Sequence, residues 1–235
     1  MIRRQIPNFI TLGNLLCGVI ACIYAANGAL PWAALFICLG IFLDFFDGMA
    51  ARLLGVASPL GKELDSLADV VTSGVAPAAI LYELTEEWIY LSGLSWLALV
   101  YLLIPLFAAY RLAKFNLDTR QSHSFLGLPV PSQALVWVGV ALSNPYPPYT
   151  MVDGPGMVAA ILLLSLLLDV LMVSELPLFS LKFNFKDLSW KTNSIQYIFL
   201  IGCAAIIVLM REWLAISVII LWYIVFSLFT QRKHA

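Results

Sequence analysis

Apolar runs of roughly 18 or more residues recur along the whole chain, and each is long enough to cross a hydrocarbon core of about 30 Å as a helix. Of the 235 residues, 62% are hydrophobic and only 11% are charged, against about 25% charged in a typical soluble domain. Lipid is the solvent that suits such a surface. The runs are solid rather than alternating, and backbone groups cannot be left unpaired in lipid, so helices are expected rather than the strands of a barrel. The expected fold is all-α: a polytopic transmembrane helical bundle over residues 1–235, a single domain with its core at about 8–131 and additional spans at 156–230.

Candidate spans are 8–27, 32–54, 64–83, 93–115, 130–143, 156–174, 195–210 and 213–230. The fifth is short, opens with Pro129 and Pro131, and has a re-entrant segment as its alternative. Basic residues test the count, because Lys and Arg gather in cytoplasmic loops. With the N-terminus inside and eight crossings, Arg3, Arg4, Arg52, Lys62, Arg111, Lys114, Arg120, Lys182, Lys186, Lys191, Arg232 and Lys233 all fall inside, and only Arg211 falls outside. Both termini are therefore expected in the cytosol. Glu83, Glu86 and Glu87 are expected in one outer connection, and the segment Asn144 to Tyr149 in another. Arg3 and Arg4 ahead of an apolar stretch also outline a secretory signal, but a retained signal anchor is simpler, because the first run is long enough to span and more spans follow. Cys17, Cys22, Cys38 and Cys203 sit inside apolar runs without CxxC pairing and read as small packing residues.

Asp44 and Asp47 interrupt the second run, where an ionisable group marks a functional site by default. Their spacing puts both on one helical face. Gly48 and Ala51 continue that face with almost no side chain, and Arg52 closes it with a cation. Gly61 follows in the inner loop, and Asp65 and Asp69 lie four apart on the opening turns of the third run. Two antiparallel helices joined by a short loop bring all four carboxylates to one level near the cytosolic surface. Such a group stays ionised only if cations compensate it. Oxygen ligands without His or Cys favour Mg²⁺, Mn²⁺ or Ca²⁺ over zinc, and shared carboxylates suit two ions per site. Two other readings of the same residues stand beside this one. The first is a buried Asp44–Arg52 ion pair with Asp65 and Asp69 as solvated first-turn residues; the second is a divalent-cation transporter whose acids line a path.

Asp44-x-x-Asp47-Gly48-x-x-Ala51-Arg52, eight residues, then Gly61-x-x-x-Asp65-x-x-x-Asp69 resembles the complete signature of the CDP-alcohol phosphatidyltransferases. The resemblance implies that Asp44, Asp47 and Asp65 are metal ligands, that Asp69 is the general base and also reaches a metal, and that Gly48, Ala51, Arg52 and Gly61 lie against the cytidine nucleotide and its diphosphate. The chemistry agrees with the carboxylate cluster: a diphosphate at the membrane surface needs divalent metal to make CMP a tolerable leaving group, and an alcohol needs a base.

The signature does not choose the alcohol. The stretch Ile6 to Gly18, the pair of stretches Arg111 to Asn116 and Phe125 to Pro131, and more weakly Leu171 to Ser174, resemble the integral-membrane, serine-using branch of that family, the phosphatidylserine synthases. The implied substrates are CDP-diacylglycerol and L-serine among membrane lipids, with no nucleic acid as partner. The rivals are another acceptor, such as glycerol 3-phosphate or an inositol phosphate, or an ether-lipid donor. Arg111 is the expected ligand of the serine carboxylate, with Arg120 and Lys114 as rivals and ordinary interfacial snorkelling as the alternative. Asn8, Thr11 and Asn14 are candidates for donor binding and Asn116 for acceptor binding, against caps and interhelical hydrogen bonds. His123 is a weaker candidate base, Asp169 has no assigned role, and small-residue faces leave room for a homodimer. The expected location is the cell membrane, with the site facing the cytosol.

Overall fold

In the computed structural model the described residues are 5–117, 126–144, 152, 154–178 and 190–231. Among them the chain forms α1 (Ile6–Ala26), α2 (Leu30–Leu54), α3 (Pro59–Asp69), a π turn (Val70–Val75), α4 (Ala76–Leu91), a 3-10 segment (Ser95–Leu102), α5 (Leu103–Leu117), α6 (Val130–Ser143), α7 (Pro155–Val173), α8 (Trp190–Met210) and α9 (Leu214–Gln231). Six helical stretches are long and apolar enough to cross a membrane, and Val130–Ser143 and Leu214–Thr230 are shorter apolar helices. The protein is an integral membrane helical bundle, and the expected spans match these helices to within a few residues at most ends.

The ends of the first two helices follow from local chemistry. Pro7 opens α1, where a missing N–H costs nothing. Gly28, at φ 70°, carries the chain into α2, and Gly55, at φ 62°, ends α2 with its N–H returned to the last turn. Only three residues separate the end of α2 from Ser58, whose hydroxyl accepts the Gly61 N–H at 3.0 Å and caps α3, with Pro59 as the next residue. The two aspartate pairs are thus carried on helices joined by a rigid corner.

The third span differs most from expectation. Instead of 64–83, one unbroken helical stretch runs over Pro59–Leu91, so Glu83, Glu86 and Glu87 lie on the last turns of α4 and not in a connection. Hydropathy falls at the first glutamate, but the helix continues because its backbone bonds do not depend on side-chain polarity. Within this stretch Pro77 can donate no bond to the Ser73 carbonyl and its ring crowds it. The wider π turn directly ahead, in which the Ala76 N–H reaches back to Val71, accommodates both.

The core runs through the middle of the bundle and α6 lies within it: Val130, Gln133, Ala134, Val136, Trp137, Val138 and Ala141 are all fully buried. Its 14 residues give only about 21 Å of helix at 1.5 Å per residue, less than a hydrocarbon core. Around it the side chains facing away from protein are large and apolar, as lipid requires; Leu163, Leu167 and Val170 of α7 are examples. Asp169 of α7 points inward and is 1% exposed, with neither carboxylate oxygen meeting a protein partner among the described residues.

Where α6 crosses α9, Gly139 allows the backbones to touch: a Cβ there would stand 2.8 Å from the Ser217 backbone nitrogen. Ser217 Oγ donates to the Val136 carbonyl at 2.6 Å in the same crossing. A Gly139→Val substitution is expected to force the two helices apart, at a cost of about 1–3 kcal/mol, and so to lower the melting temperature in detergent by several degrees. An unchanged melting curve would contradict this packing.

Candidate active site

The carboxylates gather at the corner between α2 and α3. Asp44 and Asp47 sit one turn apart on α2, and Asp65 and Asp69 one turn apart on α3. Asp47 and Asp69 are buried, at 5% and 7% exposure. Ligand oxygens of Asp44, Asp47 and Asp65 lie within 4.8 Å of one another, a spacing that suits shared coordination of a hard cation. Among the described residues Asp65 Oδ1 is buried without a hydrogen-bond partner. Asp69 stands outside that trio and within electrostatic reach of Asp65, Asp47 and Arg111. The alternative Asp44–Arg52 ion pair is not formed within 4 Å among the described residues, where Lys114 pairs with Glu175 at 3.1 Å.

Helix α1 holds two of the four acids. Thr11 Oγ1 donates to Asp47 Oδ2, and Asn14 Nδ2 donates to Asp69 Oδ1 at 3.2 Å. These bonds reach α1 because glycines let it approach closely: a Cβ on Gly18 would lie 2.8 Å from the Thr72 backbone.

Beside the trio opens a cavity of about 590 Å³. Its lining includes Asn8, Thr11, Asp47, Gly48, Ala51, Arg52, Gly61 and Asp65, so six of the seven residues expected to bind the donor, all but Asn14, share one space with two of the acids. Gly48 presents a bare face there, with only the Arg52 guanidinium within 4 Å of where its Cβ would be. Gly61 has less room, since a Cβ would meet Asn8 Oδ1 at 3.2 Å and Ser58 Oγ at 3.3 Å. Ser58 and Lys62 also line the cavity and escaped the sequence reading; the capping pattern Ser58-Pro59-x-Gly61 was the available signal for the first.

Arg111, the expected serine ligand, is 8% exposed; among the described residues its Nε has no hydrogen-bond partner, and its guanidinium carbon stands 5.9 Å from the centre of the Phe115 ring. Asn116 spends its side chain on the protein: Nδ2 donates to Ser66 Oγ at 2.9 Å, while its backbone carbonyl accepts Lys62 Nζ at 2.9 Å. These bonds tie α5 to α3. Arg120 and His123 lie outside the described residues.

Like charges packed this closely oppose folding when nothing compensates them. Asp65→Asn is therefore expected to raise the melting temperature of the metal-free protein while removing the further rise that Mn²⁺ gives the unsubstituted chain. Equal Mn²⁺ shifts in both would contradict a trio that acts as one ligand set.

Comparison with known proteins gives a consistent result. The family model described as CDP-alcohol phosphatidyltransferase matches residues 4–173. A CDP-diacylglycerol–serine O-phosphatidyltransferase of Bacillus subtilis is 40% identical over 151 residues, covering 64% of this chain and 82% of that protein. One of the same name from Helicobacter pylori strain 26695 is 33% identical over 227 residues, covering 94% of this chain and 89% of that one. An archaetidylserine synthase of Methanothermobacter thermautotrophicus is 33% identical over 132 residues, covering 55% and 54%.

Proposed function

The chain belongs to the CDP-alcohol phosphatidyltransferase family, and from that membership we propose that it transfers the phosphatidyl group of CDP-diacylglycerol to the hydroxyl of L-serine, giving phosphatidylserine and CMP. The observation that carries this reading is the juxtaposition of the acids with one cavity lined by the signature's Gly48, Ala51, Arg52 and Gly61. Serine is preferred to glycerol 3-phosphate or an inositol phosphate because the names of the relatives share serine while differing in the lipid half.

The residues present fit a divalent cation: three carboxylates within 4.8 Å, an all-oxygen donor set and a buried oxygen on Asp65 that has no hydrogen-bond partner among the described residues. Asp44, Asp47 and Asp65 would hold Mg²⁺ or Mn²⁺, with Ca²⁺ as a further candidate, and Asp69 would complete the set for a second ion. When bound, the metal supplies charge neutralisation of the diphosphate and of the departing CMP.

The chain's own residues do the rest. Asn8, Thr11, Gly48, Ala51, Arg52 and Gly61 border the donor, and the bare faces of the small residues let nucleotide and diphosphate approach the backbone. Arg111, a buried guanidinium that forms no ion pair within 4 Å among the described residues, receives the carboxylate of serine, and Asn116 and Arg120 are further candidate contacts for it. The serine hydroxyl oxygen forms a bond to the phosphatidyl phosphorus as Asp69 takes its proton. The phosphorus–oxygen bond of the diphosphate breaks, and its electron pair leaves with CMP. A carboxylate 7% exposed and within reach of Arg111 suits that task, and such a base contributes about 10² to 10⁴ in rate. The reading further takes residues 1–235 as one domain with its catalytic core at about 8–131, placed in the cell membrane with the site facing the cytosol, and able to pair with a second copy.

The test is release of CMP by the purified protein in detergent, with Mg²⁺ or Mn²⁺ and CDP-diacylglycerol, comparing L-serine with glycerol 3-phosphate and an inositol phosphate. Serine alone is expected to support release. Asp69→Asn should abolish it, and Arg111→Lys should raise the KM for serine about tenfold or more while changing kcat much less. Release with another alcohol would keep the chemistry and overturn the acceptor.

A further inference from the structure

Asn14 does not line the donor cavity. It is fully buried in the middle of α1, and it bonds twice to the helix that carries the base. Its amide donates to Asp69 Oδ1 at 3.2 Å, and its backbone carbonyl accepts Thr72 Oγ1 at 3.0 Å. The amide oxygen lies over Gly40 of α2 together with Thr72 Cγ2, where a Cβ would come within 2.7 Å of the oxygen and 2.5 Å of the methyl. The amide of Asn14 is therefore seated by α2 and aimed at α3. An aspartate carboxyl has a broad torsional preference about its last bond, so nothing within Asp69 itself fixes which oxygen faces a substrate. The helix also changes register at the very next residue, Val70, where the π turn begins, so regular helix geometry supplies no fixed frame for it.

We infer that Asn14 is a positioning residue for the proton-accepting carboxylate: by holding Asp69 Oδ1 it presents Oδ2 to the acceptor hydroxyl, and the bare face of Gly40 leaves room for that amide beside Thr72. This rests on Asp69 acting as the base in phosphatidyl transfer, and it does not depend on serine being the alcohol. A misplacement of about 1 Å in a reacting group can cost on the order of 10² in rate, whereas donor and acceptor contacts, made by other residues, stay in place.

Three variants test it through kcat and KM separately, with the Mn²⁺-induced melting shift as a readout of the ligand trio, using whichever alcohol releases CMP from the unsubstituted protein. Asn14→Leu, nearly isosteric and without a donor, is expected to lower kcat roughly 10- to 100-fold, with both KM values within about threefold and the Mn²⁺ shift retained. Gly40→Ala keeps the amide but pushes it and the Thr72 methyl aside, and is expected to lower kcat in the same direction. Thr72→Val breaks the neighbouring bond to the Asn14 carbonyl and leaves the amide bond alone, so kcat should stay within about threefold. Full kcat in Asn14→Leu overturns the inference, as does a fall in kcat that Thr72→Val reproduces or that accompanies loss of the Mn²⁺ shift. If Asn14→Leu does not fold, Gly40→Ala decides together with Thr72→Val: a kcat lowered only in Gly40→Ala, with the Mn²⁺ shift intact, supports the inference, and a kcat unchanged in Gly40→Ala or lowered equally in both overturns it. An unsubstituted protein that turns over no alcohol would instead sink the transfer reading itself.

Discussion

The end of this bundle that holds the α2–α3 corner is arranged around the repulsion among four half-buried or buried carboxylates. Asp44, Asp47 and Asp65 bring oxygens within 4.8 Å of one another, and Asp69 lies within electrostatic reach of them. Left alone, such a group would drive its helices apart or surrender its charge to protons. The protein resists with geometry: a short corner at Gly55 to Ser58 fixes the two helices that bear the acids, and a third helix, α1, supplies neutral donors to Asp47 and Asp69. Neutral donors keep the cluster's negative charge available to a cation, as a lysine or arginine in the same place would not.

That arrangement requires helices that touch. Lipid offers no hydrophobic force to press two helices together, so close approach depends on small residues and on interhelical bonds. Gly18 and Gly40 meet that need around Thr72, and Gly139 meets it where α6 crosses α9. The same interior accommodates the short α6, which is buried among protein and has no need to match the thickness of the membrane by itself. The large apolar side chains turned outward on α7 complete the division between a protein-facing interior and a lipid-facing rim.

The acids and their immediate neighbours were legible in the sequence because their relation is local. Spacings of three and four residues on single helices, joined by a short loop, determine which side chains share a face before any tertiary contact is known. Asn8 and Thr11 were singled out as polar groups in the first stretch, with caps and interhelical bonds as the alternative; both line the cavity, and Thr11 also makes an interhelical bond. What stayed hidden depends on partners far apart in the chain. The bond between Asn14 and Asp69 spans 55 residues and that between Lys62 and Asn116 spans 54; no periodicity announces either. The π turn was hidden because Pro77 can be accommodated in several ways, and the extension of α4 to Leu91 because hydropathy reports solvent preference and not backbone bonding. Asp169 stood out as an intramembrane charge and is indeed buried, yet the sequence assigned it no partner and the described residues provide none.

The central claim is that the α2–α3 corner is a metal site serving a phosphoryl transfer. The most direct measurement is the anomalous scattering of manganese in crystals grown with Mn²⁺ and CMP. The account predicts a peak bounded by the carboxylates of Asp44, Asp47 and Asp65, with nucleotide density in the cavity beside Gly48, Ala51 and Arg52. Manganese bound elsewhere, with this corner empty and the nucleotide apart from it, would contradict the account.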